Sequence, residues 1–267
     1  MLTNITMGQY YPVNSPVHRL DPRVKLLLTI ALIVAVFLVK TVLGYALIFG
    51  FIFLVSRLSR IPFRMLLKGI KPLRLILIIT FLLNLFFSVG ETVLLEFWII
   101  RITLEALQQA VFYSLRLVFL VIGTSLLTLT TSPIALSDAI ELLLGPLKKV
   151  HFPAHELAMM MTIALRFIPT LLDETDKIMK AQMARGADFE SGNLLSRARA
   201  MVPLLVPLFV SAFRRAGDLA MAMESRCYHG GEGRTRFRVL AITGSDWIAC
   251  AVMAALIGLI VLERIFL

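Results

Sequence analysis

Four apolar runs separated by polar segments dominate the pattern of the chain. They cover residues 26–55, 75–89, 108–131 and 247–262. Because a membrane-spanning helix needs about 20 apolar residues, the first run predicts two short crossings with a turn near Lys40, and each other run predicts one. The pattern therefore predicts an all-α integral membrane protein with about five transmembrane helices.

A longer and more polar segment, residues 132–242, precedes the last apolar run. It contains two stretches in which apolar residues recur every three or four positions, the spacing of an amphipathic helix. These stretches end in two similar triplets, Ala184-Arg185-Gly186 and Ser225-Arg226-Cys227. We expect a lead-in with four transmembrane helices in residues 1–131, a module of amphipathic helices in residues 132–242, and a final transmembrane helix in residues 243–267.

Charge supports this interpretation and predicts an orientation. Only 16% of the residues are charged, whereas soluble domains have about a quarter. The net charge of +10 does not indicate nucleic-acid binding, because the basic residues flank apolar runs. Residues 57–74 hold six basic residues and no acidic one, and residues 132–238 hold 14 of the chain's 27, which places both segments in the cytoplasm. We expect a multi-pass protein of the cell membrane with a cytoplasmic amino terminus and an external carboxyl terminus.

Several short segments carry more specific expectations. Residues 65–70 suggest a short amphipathic helix in the membrane interface. Residues 92–103 are rich in β-branched and aromatic side chains, which favours a small external hairpin or interfacial segment. Asp21-Pro22 is typical of a helix start. Arg116 is a charge within a crossing that has no acidic partner, so we expect it to snorkel outward or to serve a structural role between helices.

The sequence gives little support for catalysis. It has no Gly-x-x-x-x-Gly-Lys-Ser/Thr phosphate loop, so any ATP hydrolysis by that route must come from partner chains. His151 and His155 have the spacing of zinc ligands on a helix, but Pro153 between them interrupts the helical face. The apolar runs contain neither paired carboxylates nor a Ser/His/Asp set. We expect a non-enzymatic chain with no cofactor, no metal and no disulfide between Cys227 and Cys250.

The amino-terminal segment and the two triplets together resemble a known family. The segment contains Ser15-Pro16, His18-Arg19-Leu20-Asp21-Pro22-Arg23 and Lys25. With the arginine triplets and the apolar runs, it is similar over essentially the whole chain to the transmembrane T component of energy-coupling factor (ECF) transporters. The family's usual triplet is Ala-Arg-Gly, so the first copy matches fully, whereas the second has Cys227 in place of glycine.

This resemblance implies a function and partners. In that family the two arginines, here Arg185 and Arg226, dock into two cytoplasmic ATPase subunits, and the amphipathic helices serve as coupling helices. The T component also joins a small substrate-binding membrane protein, the S component, for uptake of vitamins or transition-metal ions. The chain would then be a non-catalytic, energy-coupling scaffold in an ATP-driven importer.

Other interpretations of the same residues remain open. A single Arg-Gly at a helix end is commonly only a cap, because glycine adopts the left-handed conformation and the cation complements the helix dipole. Two copies on the cytoplasmic side favour docking instead. A self-sufficient secondary transporter or channel, or a membrane-embedded enzyme, is also possible, but a carrier should show inverted repeats and broken helices in the membrane.

Overall fold

The computed structural model describes residues 10–88, 92–97, 100–146, 152–189, 193–230 and 239–266. Most of these residues are helical, which confirms the predicted fold class. The helices are α1 (Pro16–Arg19), α2 (Pro22–Leu38), α3 (Val42–Ser59), α4 (Phe63–Ile70), α5 (Arg74–Phe87), α6 (Leu104–Thr130), α7 (Pro133–Leu143), α8 (Ala154–Ala184), α9 (Leu194–Glu224) and α10 (Gly244–Phe266). A 3₁₀ turn, Lys71–Leu73, joins α4 to α5, and two strands, β1 (Val93–Phe97) and β2 (Ile100–Thr103), pair antiparallel.

The described chain divides into two compact units. One is a helix bundle of residues 10–139 and 239–266, and the other, the α8–α9 unit, lies within residues 140–230. The first boundary between these units falls within α7.

The first apolar run forms two helices, as predicted, because polar caps interrupt it. Asp21 caps α2: its carboxylate accepts a hydrogen bond from the Arg23 N–H at 2.9 Å. Thr41 caps α3 by accepting from the Gly44 N–H at 3.3 Å. Each side-chain oxygen satisfies a backbone donor that the first helical turn leaves free. The turn between the two helices contains Lys40, where the sequence places it.

The core of the bundle lies where α2, α3, α6 and α10 meet. Its most deeply buried side chains include Val36, Ile48, Leu129 and Ile260, one from each helix. Helix α5 packs on α6, and its residues are largely exposed. An exposed face of this composition suits contact with lipid hydrocarbon.

Hydrogen bonds at the two ends of the bundle show how its helices run. At one end, Lys25 Nζ donates to the Thr130 carbonyl at 3.0 Å. The Asp21 N–H donates to Asp246 at 2.8 Å, so the start of α2, the end of α6 and the start of α10 meet here. At the other end, Glu263 near the end of α10 contacts the start of α3. We call these the Asp21 end and the Glu263 end; the chain leaves the bundle after α6 and re-enters it at α10 on the same, Asp21 end.

Within the described part of the chain, five helical segments are long and apolar enough to cross a membrane, judged by length and composition: Val42–Ser59, Phe63–Phe87, Leu104–Thr130, Ala154–Ala184 and Gly244–Phe266. The number agrees with the expectation, but the membership differs. Helix α2, which we expect to cross, has 17 residues and falls one short of the shortest of the five. Helix α8, which we expect outside the membrane, qualifies with a mean hydropathy of 1.2, against 1.9 to 2.3 for the others.

Two short segments match their predictions. Strands β1 and β2 form the hairpin that was one of the two predicted alternatives, and in it residue 96 pairs with 101 and residue 97 with 100. Helix α4 is the expected short amphipathic helix: Leu66 is fully buried, whereas Arg64 and Lys68 on the opposite face are exposed.

Candidate docking site on two helix ends

Helix α8 ends in the first triplet through two hydrogen bonds. The Gly186 N–H donates to the Met183 carbonyl at 3.0 Å, and the Ala187 N–H donates to the Gln182 carbonyl at 3.0 Å. Gly186 has a φ of +91°, in the left-handed region that glycine tolerates. This combination is a Schellman motif, and it makes Arg185 the last residue before the chain turns away from the helix.

Helix α9 ends in the second triplet with the same pattern of bonds. The Cys227 N–H donates to the Glu224 carbonyl at 2.8 Å, and the Tyr228 N–H donates to the Met223 carbonyl at 3.0 Å. Cys227 has a φ of +56°, so it takes the left-handed position that glycine occupies in the first motif. Arg226 therefore has the same backbone position as the first arginine, although the residue after it differs.

Both arginines are free to meet a partner. Their side chains are exposed, as are Ala184, Gly186, Ser225 and Cys227. Among the residues that the structure describes, neither guanidinium has a hydrogen-bond or ion-pair partner. A guanidinium offers five N–H donors in a planar fork that matches a carboxylate, and small neighbouring residues allow a second protein to approach closely.

Helices α8 and α9 pack against each other as an antiparallel pair. Glu174 on α8 accepts from Arg215 on α9 at 2.9 Å. Further towards the start of α8, His155 lies 3.5 Å from the Tyr228 hydroxyl, just beyond the end of α9. The contact positions therefore run towards the start of α8 as they run towards the end of α9. Between the two helices lies a cavity of about 260 Å³, whose apolar lining includes Ile163, Phe167, Leu171, Leu219 and Met223.

This arrangement separates the two arginines. Arg226 lies near the start of α8, because Tyr228, two residues later, reaches His155 there. Arg185 follows the last residue of the same helix. A helix of 31 residues is about 46 Å long at 1.5 Å per residue. The two arginines consequently mark opposite ends of the α8–α9 unit.

His155 contacts an acidic side chain, and this contact accounts for its position without a metal ion. Its Nδ1 lies 2.9 Å from Glu141 Oε1 on α7. No group of histidine, cysteine and acidic side chains able to hold a metal ion occurs among the described residues, and His151 lies outside them.

One face of α9 is apolar and exposed. Its residues recur at the spacing of one helical stripe, and all are at least half exposed or close to it: Val202, Leu205, Val206, Phe209, Val210 and Phe213. We call this set the α9 stripe. Contiguous apolar surface of this kind marks a site of contact with protein or membrane.

Comparison with known proteins bears on the same residues. The family model for CbiQ, described as a cobalt transport protein, matches residues 13–237 and so includes both triplets. A protein from Thermosediminibacter oceani is 60% identical over 248 residues, covering 93% of each chain. One from Clostridium kluyveri is 54% identical over 267 residues (100% and 99% covered), and one from Bacillus subtilis is 51% identical over 260 residues (96% and 98% covered). All three are named energy-coupling factor transporter transmembrane protein EcfT.

The chain belongs to this EcfT family. It is therefore a multi-pass transmembrane component of an energy-coupling factor transporter, as the resemblance in its sequence implies.

The amino-terminal residues of this EcfT chain build a buried polar network at the Asp21 end. Arg23 donates two side-chain hydrogen bonds to the Asp21 carboxylate, at 3.1 and 2.8 Å, and these hold the pKa of Asp21 below its usual value. Asp246, fully buried, accepts from the Asp21 N–H and from both the N–H and the hydroxyl of Thr243, at 2.7 to 2.8 Å. Lys25 completes the network through the Thr130 carbonyl.

The sequence does not identify Asp246 as part of this network. Its partners lie up to 225 residues away, so no local pattern relates it to them. The available signal is its position: Asp246 begins an apolar run, just as Asp21 begins the first one.

Two charged residues of the EcfT chain stabilise the Glu263 end. Glu263 accepts from the Thr41 hydroxyl and, at 3.0 Å, from the Gly44 N–H, so it adds to the cap of α3. Arg116 Nη2 donates to the Val39 carbonyl at 3.1 Å, where α2 ends. Since helix ends leave carbonyls unsatisfied, Arg116 serves a structural role between helices, which is one of the two predicted alternatives.

Proposed function

We propose that this EcfT chain is the energy-coupling scaffold of an ATP-driven importer, and that Arg185 and Arg226 each dock into one of two cytoplasmic ATPase subunits. The observation that carries the proposal is the pair of matching helix ends: two exposed arginines with the same backbone geometry at opposite ends of one antiparallel unit. Two equivalent donors about 46 Å apart suit two equivalent partners better than one.

The α8–α9 unit is suited to transmit movement between those partners. Its two helices are continuous over 31 residues each, through Pro169 in one and Pro203 and Pro207 in the other. The two helices pack against each other, and the ion pair between Glu174 and Arg215 joins one to the other. Displacement of one arginine by ATPase closure would therefore move the whole helix to which it belongs.

The α9 stripe supplies a surface for the membrane partner. A small S component that binds the substrate would contact these exposed apolar residues and reorient as α9 moves. Exposed methionines on the same unit, Met160, Met161, Met183 and Met221, offer flexible side chains that adapt to more than one partner surface. In this scheme the S component selects the substrate, either a vitamin or a transition-metal ion.

The fold also supports the proposed orientation. The chain leaves the bundle after α6 and re-enters at α10 on the same end, so the intervening segment makes either no crossing or an even number. Helix α9 is not among the five candidate spans, and α8 alone would bring the chain back on the wrong side. We infer that α8 and α9 remain in the cytoplasm and that α2 is the fifth crossing.

The test is recruitment of ATPase by full-length variants expressed with their partner subunits. Arg185→Ala combined with Arg226→Ala should abolish copurification of ATPase while leaving membrane insertion unchanged. Arg214→Ala, at another exposed arginine within α9, is the matched control and should recruit normally. Wild-type recruitment by the double variant would show that the two arginines are only helix caps.

A further inference from the structure

An apolar groove of about 380 Å³ runs along the bundle from its Asp21 end. Its floor consists of buried residues of α2, α3, α6 and α10, among them Leu32, Ile52, Leu126 and Met253. Its rims are exposed apolar residues, Leu54 and Leu58 on α3 and Ile248 and Val252 on α10. The groove therefore opens sideways between α3 and α10, both of which belong to the membrane-spanning part of the chain.

The position of the groove matches one leaflet of a bilayer. Lys25, Thr130 and Ser245 line its polar end, where three helices begin or end, and Leu32 lies deepest along α2. Seven residues of helix from Lys25 to Leu32 correspond to about 10 Å, compared with a hydrocarbon half-thickness of about 15 Å. An extended hydrocarbon chain that enters at the polar end would stay within that leaflet.

The polar end of the groove carries positive charge. Arg19 on α1 is exposed next to the lining residues Pro16, Val17 and Leu20. Arg57 and Arg60, at the end of α3, are exposed as well, and Arg60 reaches the Asn14 carbonyl at 3.4 Å. Among the residues that the structure describes, the acidic ones that adjoin this end, Asp21 and Asp246, are buried. The exposed charge at the mouth is consequently basic.

Lys25 adds a buried cation to the lining. The relative exposure of Lys25 is only 6%. Its ammonium donates to the His18 and Thr130 carbonyls at 3.0 Å each. An ammonium has three donors, so one N–H has no partner among the described residues. A buried cation with a spare donor beside an apolar groove is suited to an anionic amphiphile.

We propose that this groove binds one anionic phospholipid, with an acyl chain between α3 and α10 and its phosphate near Arg19 and Lys25. Water would find almost no hydrogen-bond partners along the apolar lining, whereas hydrocarbon fills it from the surrounding leaflet. Basic residues at the membrane surface favour anionic headgroups over zwitterionic ones. The lipid would act as a structural cofactor that joins α1, α3 and α10 at the end where the chain leaves the bundle.

Native mass spectrometry of the purified full-length chain tests this assignment. The chain is mixed with equal amounts of phosphatidylglycerol and phosphatidylethanolamine that have the same acyl chains. We expect one phosphatidylglycerol to be retained in preference. Ala249→Phe places a ring in the groove, where it would displace part of the acyl chain. Because each acyl methylene excluded from the groove weakens binding about fourfold, this variant should reduce lipid retention by more than about tenfold. Ala251→Phe, on the exposed side of the same helix, is the matched control and should retain the lipid.

Charge is tested separately from shape. Arg19→Gln should remove the preference for phosphatidylglycerol, whereas Arg264→Gln, an exposed arginine near the Glu263 end, should not. Thr29→Phe fills the groove from the opposite wall. If circular dichroism shows that one filled variant is misfolded, the other still tests the proposal. Three outcomes would each overturn the proposal. The first is equal retention by the filled variants and the control, and the second is equal binding of both lipids. The third is loss of lipid when the transporter assembles, which would place a partner's helix in the groove.

Discussion

Cys227 takes the place of Gly186 in the second arginine motif, yet the two residues share the left-handed backbone conformation. A side chain at a φ of +56° is strained, and relief of that strain by glycine is worth about 1 kcal/mol. Cys227→Gly should therefore raise the thermal stability of the purified chain slightly and leave ATPase recruitment intact. Thermal unfolding in detergent measures this, with Gly186→Cys as the reciprocal change, which should lower stability. A destabilised Cys227→Gly variant would contradict the strained geometry.

Sequence alone could not resolve this difference. Arg185 and Arg226 could be found because each ends a periodic apolar stretch, but a cysteine in place of glycine weakens the second match. Backbone conformation decides equivalence here, and φ at one position follows from the hydrogen bonds of the helix end rather than from the residue type. The structure thus makes the second triplet equivalent to the first in geometry.

Asp246 offers a second prediction at this scale. It accepts three hydrogen bonds while fully buried, and Asn would replace one accepting oxygen with a donor that faces other donors. Leaving one such group unsatisfied costs about 1–3 kcal/mol. Asp246→Asn should lower the unfolding temperature clearly, whereas Asp218→Asn on the exposed surface of α9 should change it little. Equal stability of the two variants would argue against the buried network.

At the scale of helices and strands, the sequence pattern predicts elements better than it assigns them to the membrane. The α2–α3 turn, the β1–β2 hairpin and α4 all follow from local caps, β-branched residues or helical periodicity. The place of helix α8 is harder to predict from the sequence pattern, because its most apolar stretch has a mean hydropathy of 1.2 and is apolar enough to cross a membrane. Its antiparallel packing with α9 could not be predicted from the local pattern either, because it is a contact between residues far apart in sequence.

The α9 stripe gives a prediction for one element. If it contacts the S component, Phe209 becomes buried on assembly, and burying such a side chain is worth about 1.5–3 kcal/mol. Phe209→Ser should weaken association with the S component by roughly 10-fold to 100-fold and leave ATPase recruitment unchanged. Pull-down of a tagged S component measures this, with Asp218→Ala, on the opposite face of α9, as control. Unchanged association would remove the stripe from the interface.

For the whole molecule, the orientation can be tested by single cysteines in a background without Cys227 and Cys250. Lys40, in the turn between α2 and α3, should be labelled by an impermeant thiol reagent from outside the cell when changed to cysteine. Lys180, exposed near the end of α8, should be labelled only after the membrane is opened. External labelling at position 180 would place α8 across the membrane and overturn the cytoplasmic assignment.

The last prediction concerns how the two arginines act together. If each guanidinium meets a carboxylate on a different ATPase, truncation of one leaves that carboxylate unpaired, at a cost of about 2–5 kcal/mol. This corresponds to roughly 30-fold to several thousand-fold in affinity. Because the arginines lie at opposite ends of the α8–α9 unit and share no described contact, the two losses should add within about 0.5 kcal/mol.

A double-mutant cycle measures that sum. Binding of the ATPase pair is compared for wild type, Arg185→Ala, Arg226→Ala and the double variant, with Arg214→Ala as the control for loss of positive charge. Arg→Lys at either site should recover only part of the affinity, because an ammonium lacks the planar fork. If each arginine only capped its helix, single losses would be about 0.3–1 kcal/mol of stability, and ATPase binding would be preserved. Strong coupling between the two variants would contradict independent docking of the two arginines into separate ATPases.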